Sequence, residues 1–137
     1  MGSEMCIRDR AKLASEFAVL PEVRDYLFNI QRGFTVKGKG LIADGRDMGT
    51  IVFPEAKHKF FITASAEERA RRRENQLKES GLSVNMRNLQ ERIEERDKKD
   101  SSRVISPLVP AEDAVVIDSS NIGIHELKDK VLKLIRS

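Results

Sequence analysis

Asp44-Gly-Arg-Asp-Met-Gly-Thr50 places two carboxylates and a guanidinium within four residues, with a glycine on either side of the Arg46-Asp47-Met48 core. A guanidinium grips phosphate through two parallel hydrogen bonds. A carboxylate such as Asp47 accepts hydrogen bonds from an amino group or a sugar hydroxyl. In open α/β sheets, ligands sit beyond the carboxyl ends of the strands. Leu41–Ala43, a short apolar run ending at Asp44, reads as such a strand. By spacing alone, a polar turn closed by a local Asp–Arg pair fits the motif equally well.

A second constellation lies on a helical pattern. Met86, Leu89, Ile93, Arg96, Asp100 and Arg103 follow one another at steps of three and four, so they share one helix face. The face begins apolar and becomes charged toward its C-terminal end. Charges in line with a core-facing stripe need partners, which an anionic ligand in a cleft would supply. The competing reading is that the helix leaves the core after Ile93 and the charges meet water. A third group is Arg69, Arg71, Arg72 and Arg73, of which Arg69, Arg72 and Arg73 fall on one side of a helix with few large apolar residues. Such a helix packs loosely, as a mobile lid does, and a lid with arginines can close on phosphates. The plainer alternative is a solvated helix carrying Glu68–Arg72 and Glu67–Arg71 pairs.

Gly33-Phe-Thr-Val-Lys-Gly-Lys-Gly40 comes close to the phosphate loop G-x-x-x-x-G-K-[ST] but fails it. Gly40 has no hydroxyl for magnesium, and a helix precedes the segment where the motif requires a strand.

The positioning elements follow from periodicity. Ala11–Leu20 has helical composition, and Pro21 opens a second helix with Val23, Tyr26, Leu27, Ile30 and Phe34 at helical spacing, ending near Gly33. Ile51–Phe53 is another apolar run, closed by Pro54. Lys59–Ala64 and Ala114–Asp118 are clearer strands. Ser65 reads as an N-cap with Glu68 completing a capping box, for a helix from Ala66 to about Ser80 closed by Gly81. Ser83 reads as the start of the next helix, to about Asp100. A last helix runs from about Ile124 to Ile135 with Leu127, Val131, Leu134 and Ile135 on its apolar face. Apolar runs alternating with helices predict an α/β protein with a parallel sheet covered on both faces.

With 137 residues the chain holds one domain. No stretch is apolar for long enough to span a membrane as a helix. Lys+Arg (25) nearly balance Asp+Glu (22), a net charge of +3, which is less than a nucleic-acid binder with a concentrated patch carries. Only one tyrosine and no tryptophan are present for base stacking, which argues the same way. The single cysteine, Cys6, excludes an internal disulfide and a cysteine-based zinc site. His58 and His125 read as surface residues rather than metal ligands. The opening MGSEMCIRDR (1–10) reads as a non-native leader, with the domain at 11–137.

Taken together the segments resemble the bacterial-type cytidylate kinases. Ala43-Asp-Gly-Arg-Asp-Met-Gly-Thr-Ile-Val-Phe-Pro54 is similar to that family's central signature, and Ala64-Ser-Ala-Glu-Glu-Arg-Ala-Arg-Arg-Arg73 to the start of its lid, expected over about 65–82. Glu95-Arg-Asp through Asp100 and Arg103, then Pro107-Leu-Val-Pro-Ala111 and Asp113-Ala-Val-Val-Ile-Asp-Ser119, follow in the family's order. The resemblance runs from about Ala14 to the C-terminus. It implies the three-layer parallel sheet of the P-loop nucleoside monophosphate kinases and phosphoryl transfer from ATP, with Mg²⁺, to CMP or dCMP. It implies that Ser15, Arg24 and Asp47 contact cytosine, that Arg46 lies near the phosphates with Asp44 beside it, and that Arg96 and Asp100 hold the sugar. Arg103 is expected on the CMP phosphate. Arg69, Arg72 and Arg73 are expected on a lid over the ATP phosphates, forming with Arg46 the catalytic set.

One departure stands out: the family's initial strand and glycine-rich phosphate loop, with its lysine and Ser/Thr, have no counterpart here, nor does the part of the CMP-binding region before Ser15. The expectation is an incomplete sheet with an exposed edge and little or no kinase activity from this chain alone. A cytoplasmic monomer binding CMP, dCMP and ATP, without nucleic-acid or membrane partners, completes the reading. The alternatives are another nucleoside monophosphate kinase of the same fold, a small basic nucleic-acid-binding module, and a fragment that binds nothing alone.

Overall fold

The two β-rich runs are the only described segments that pair as a sheet. In the computed structural model, which describes residues 13, 14, 16, 17, 20–36, 38–83, 85–104 and 107–136, Phe60–Thr63 (β1) and Val115–Asp118 (β2) run parallel, with Phe60 opposite Val115 and Thr63 opposite Asp118. The ladder continues one step beyond each end, Val115 N–H donating to the Lys59 carbonyl (2.9 Å) and Ser119 N–H to the Thr63 carbonyl (2.7 Å). Parallel strands need a long crossover, and two helices supply it. The chain divides into two units, Met1–Asp44 and Gly45–Ser137.

In the first unit, Pro21–Gly33 forms α1. Proline occupies the first turn, where its missing N–H costs nothing, and Arg24 N–H reaches back to the Leu20 carbonyl at 3.1 Å. Leu13, Ala14, Glu16 and Phe17 are helical as expected. The predicted apolar face of α1 is present but no residue of the helix is buried, and Tyr26, Leu27 and Ile30 all remain exposed. The segment resembling a phosphate loop follows the end of α1 and leads into irregular backbone, with Gly38 at φ 81°. Leu41–Ala43 is not a strand. A strand exists through its ladder, and β1 and β2 pair only with each other; Ile42 is 99% exposed.

In the second unit, Met48–Val52 forms a π-helical turn in place of the extended run expected at Ile51–Phe53. Its apolar content is nonetheless used, since Val52 and Phe53 are both buried. Ala66–Glu79 (α2) starts at Ser65, whose Oγ accepts from Glu68 N–H at 3.1 Å. The reciprocal half of the capping box is replaced: Ser65 N–H donates to Ser120 Oγ at 2.9 Å, which leaves the Glu68 carboxylate to Arg71 and Arg72. The helix ends in a Schellman motif. Gly81 N–H donates to the Lys78 carbonyl and Leu82 N–H to the Leu77 carbonyl, both at 2.9 Å, with Gly81 at φ 79°.

Met86–Ser101 (α3) is capped by Asn85, whose side chain accepts from Asn88 N–H at 3.1 Å, rather than by Ser83 as the sequence predicted. Amide and hydroxyl caps are near-equivalent, so either residue fits. Ile124–Arg136 (α4) matches the predicted last helix, with Leu127, Val131 and Leu134 half-buried and Ile135 exposed. Ala70, Leu77 and Ile117 are among the most buried apolar residues, whereas Ile62 and Val116 lie open on the sheet. The described sheet thus has two parallel strands, consistent with an α/β protein, and the full three-layer sheet is not seen among the described residues.

Gly81→Ala forces a side chain into the left-handed region and is expected to destabilise the protein by about 1–2 kcal/mol. Ser65→Ala, which removes the cap, is expected to cost about 1 kcal/mol. Urea unfolding followed by far-UV circular dichroism checks both.

Candidate functional site

Helical spacing predicts Arg96, Asp100 and Arg103 on one face, and the structure brings all three together. Arg96 and Asp100 lie one turn apart on α3, and Arg103 follows just beyond its end. Asp100 is 1% exposed. Its Oδ1 meets Arg103 Nη2 at 2.5 Å, and its Oδ2 meets Arg46 Nη1 at 2.6 Å and Arg96 Nε at 3.8 Å. Three guanidiniums therefore converge on one carboxylate. The Arg103 side chain is almost as buried as Asp100, Arg46 is about one-third exposed and Arg96 about one-half. Neither of the two readings of this face holds entirely. The charges do not simply meet water: Arg96 and Arg103 pair with Asp100 itself, and a third cation, Arg46, reaches that carboxylate from 54 positions away.

The electrostatics carry the sign of an anion site. Burial lowers the pKa of Arg46, and the neighbouring Arg96 and Arg103 lower it further, with Asp100 acting in the opposite direction. One carboxylate among three cations leaves the cluster with an excess of positive charge in partly desolvated surroundings. The Asp100 backbone is also held, its carbonyl accepting from Leu108 N–H at 3.0 Å. Asp47 is half-buried, and its carbonyl accepts from the Ile51 and Val52 amides at 2.9 and 3.1 Å, so its backbone shapes the turn.

The arginines of α2 are engaged differently. Arg69 donates from both Nη atoms to Asp97 of α3 (2.9 and 2.5 Å) and from Nε to the Ala64 carbonyl (2.9 Å). Arg72 donates to Glu68 (2.8 Å), to the Ser119 carbonyl (2.6 Å) and to Ser119 Oγ (3.3 Å). Arg73 donates to Gln76 at 3.1 Å. Of the pairs expected on a solvated helix, Glu68–Arg72 forms, but Arg71 pairs with Glu68 rather than Glu67. Two of the three predicted lid arginines thus tie α2 to α3 and to the end of β2.

Five residues in these networks, Asp97, Ser119, Ser120, Lys59 and Asp113, carried no role in the sequence reading. Asp97 receives Arg69. Buried Ser119 and its neighbour Ser120 join the ends of both strands to the N-terminus of α2. Lys59 donates from Nζ to both carboxylate oxygens of Asp113 (2.8 and 2.7 Å) and to the Pro54 carbonyl (2.5 Å). Asp97 and Asp113 stand inside the motifs read above, so proximity to those motifs was the available signal. Ser15 lies outside the described residues. Arg24 is half-buried on α1 and Asp44 is exposed at the end of the first unit. Among the described residues no group of three or more His, Cys, Asp and Glu could hold a metal ion, and none forms a helix long and apolar enough to cross a membrane.

Removing the carboxylate from a buried ion cluster costs about 3–5 kcal/mol when burial is complete. Arg46 and Arg96 keep some water, so Asp100→Asn is expected to lower stability by about 2–4 kcal/mol, read from the urea midpoint. A second expectation concerns acid. The hydrogen bonds from Lys59 hold the Asp113 carboxyl below its ordinary range. That contribution is present above the unfolded pKa of about 3.9 and is lost as pH falls through the lower folded value. Asp113→Asn is therefore expected to flatten the acid limb of a stability–pH profile below about pH 4, while leaving its shape near neutrality unchanged.

The family model described as cytidylate kinase matches residues 3–137. A cytidylate kinase of Methylococcus capsulatus is 55% identical over 125 residues, 91% of this chain and 56% of that protein. One of Colwellia psychrerythraea is 56% identical over 120 residues, 88% of this chain and 53% of its own length. One of Vibrio vulnificus is 48% identical over 137 residues, the whole of this chain and 60% of its own. The chain spans little more than half the length of these relatives. On the strength of a match across nearly its whole length, the chain belongs to the cytidylate kinase family.

Proposed function

We propose that this chain carries the acceptor half of an enzyme that transfers a phosphoryl group from ATP to CMP or dCMP, giving CDP or dCDP. The observation that carries the reading is the convergence of Arg46, Arg96 and Arg103 on buried Asp100. A nucleotide phosphate brings two negative charges, which complement the cationic excess there. Arg103 and Arg46 take its oxygens with planar donor forks. Asp100, an acceptor, is left to receive a sugar hydroxyl, with Arg96 beside it at the exposed rim. Asp47 reads the cytosine edge.

Holding the acceptor phosphate in line with the donor is what catalysis by positioning and charge stabilisation requires. On this reading residues 65–82 form the lid, and Arg69, Arg72 and Arg73 leave their present partners for the ATP phosphates when it closes. The two-stranded α/β unit then belongs to the three-layer parallel sheet of the phosphate-loop kinases, in a monomeric domain covering 11–137. When bound, Mg²⁺ neutralises charge on the donor phosphates. The described residues offer no set of ligands for it, and none is assigned to it.

Calorimetry on the full chain tests the reading, with CMP, cytidine, UMP and AMP as titrants. CMP is expected to bind more tightly than UMP and AMP. Arg103→Met is expected to weaken CMP by about 10–150-fold, the worth of a charged hydrogen bond, and to leave cytidine within about twofold. Equal binding of CMP, UMP and AMP would point instead to another nucleoside monophosphate kinase. A coupled ATP-turnover assay on the same sample, expected to show little or no turnover, tests whether the acceptor half is inactive alone.

A further inference from the structure

The turn that carries Arg46 and Asp47 is not part of the sheet. Its own backbone bonds, from the Ile51 and Val52 amides to the Asp47 carbonyl and from the Phe53 amide to the Met48 carbonyl, shape it without tying it to anything else. π-helical turns are rare and are frequently found at functional sites. Burial of Val52 and Phe53 holds the turn to the unit, but apolar contact is non-directional. Polar ties supply direction. At the front, Arg46 meets Asp100. At the back stands Lys59.

An ammonium has three protons and no lone pair. Lys59 Nζ has three acceptors, the Pro54 carbonyl and the two oxygens of Asp113, so its donor capacity is filled. Its side chain is 8% exposed. The stem lies along the turn itself: a Cβ built on Gly49 would stand 3.4 Å from Lys59 Cδ and 3.8 Å from the Ala111 methyl. The same residue begins the sheet, its carbonyl accepting from Val115 N–H. Lys59 therefore joins the origin of the β1–β2 ladder, the Asp113 loop and the back of the turn at a single point.

We propose that Lys59 is a positioning residue for the acceptor site, acting through the turn to hold Arg46 and Asp47 at the place where Arg46 meets Asp100. The claim concerns the site assigned to CMP above and rests on that reading for its functional meaning. Lys59 does not itself touch a nucleotide, because its charge and all three of its protons are already committed to Asp113 and Pro54.

The test is the guanidinium NMR spectrum of the isotope-labelled full chain without nucleotide. Arg46 is assigned by loss of its signals in Arg46→Lys, and Asp100→Asn supplies the broken-pair position. Lys59→Met keeps the length of the stem and removes the ammonium. It is expected to move the Arg46 signals at least halfway to the Asp100→Asn position, while the Arg69 signals, reporting the separate pair with Asp97, stay in place. Arg46 signals that coincide with those of the unmodified chain would overturn the proposal. So would equal movement of Arg69, which would mean general loosening. Asp113→Asn, at an exposed position, must shift Arg46 in the same direction by less, and it decides the matter if Lys59→Met does not fold. In calorimetry Lys59→Met is expected to weaken CMP about tenfold, and less than twofold when Arg46→Met is already present. If the unmodified chain binds no CMP, the functional reading fails while the Arg46 signals still decide the role of Lys59.

Discussion

A carboxylate that is 1% exposed must be neutralised, and the architecture of the second unit follows from how Asp100 achieves this. Leaving water costs an ion several kcal/mol even after relaxation, and no single neighbour on α3 suffices. Arg96 is too exposed and too far, at 3.8 Å. Arg103 lies past the end of the helix and folds back on the last turn. Arg46 has to come from another segment, so the turn after residue 44 is drawn to the C-terminal end of α3. Buried ion clusters of this kind add little net stability compared with an apolar packing. Their presence calls for a reason in binding, which is why Asp100 and its arginines, rather than the larger number of surface pairs, carry the functional argument.

The charge pairs on α2 belong to a different category. Arg69 and Arg72 are partly exposed, and pairs in such positions are individually weak. Their geometry nevertheless determines where α2 sits. The planar fork of Arg69 on Asp97 fixes one helix against the other, and Arg72 on the Ser119 carbonyl fixes the start of α2 to the end of β2. A helix with Ala70 and Leu77 as its buried residues has little apolar contact to hold it. Weak, directional and exchangeable ties are what the lid proposed above requires of this helix.

What could be read from the sequence follows the range of the interaction. Arg96 and Asp100 were legible because helical periodicity is local, whereas Arg103, beyond the end of α3, joins them through its ion pair with Asp100. Also legible were the Ser65 cap and the Gly81 stop, each decided within a few residues. The parallel pairing of FFIT with VVID was suggested by their apolar character, but not its register. Once Phe60 faces Val115, the approach of Lys59 to Asp113 follows from ladder geometry, whereas without the register the pair is 54 positions of chain with no signal. Arg46 on Asp100 has the same character. Leu41–Ala43 was misread for a related reason: apolar composition expresses a need for cover, and a strand also needs a neighbour to complete its hydrogen bonds. Ile51–Phe53 met the first need in a turn, burying Val52 and Phe53 without becoming extended.

The electrostatics of Arg46 connect the buried carboxylate to the proposed chemistry. Its pKa is lowered first by burial and then by two other guanidiniums, against which Asp100 pulls the other way. Such a group remains a cation at neutral pH but is held in a field that resists its charge. On the function proposed above, an entering phosphate would relieve that field at all three arginines at once, without the protein having to assemble new donors. The work of bringing like charges together is done during folding, by burial of the turn and by the ties at its two ends, and is returned when the anion binds. This is preorganisation in the sense that matters for phosphoryl transfer. It places the demand for accuracy on the residues behind the turn rather than on those that face the ligand.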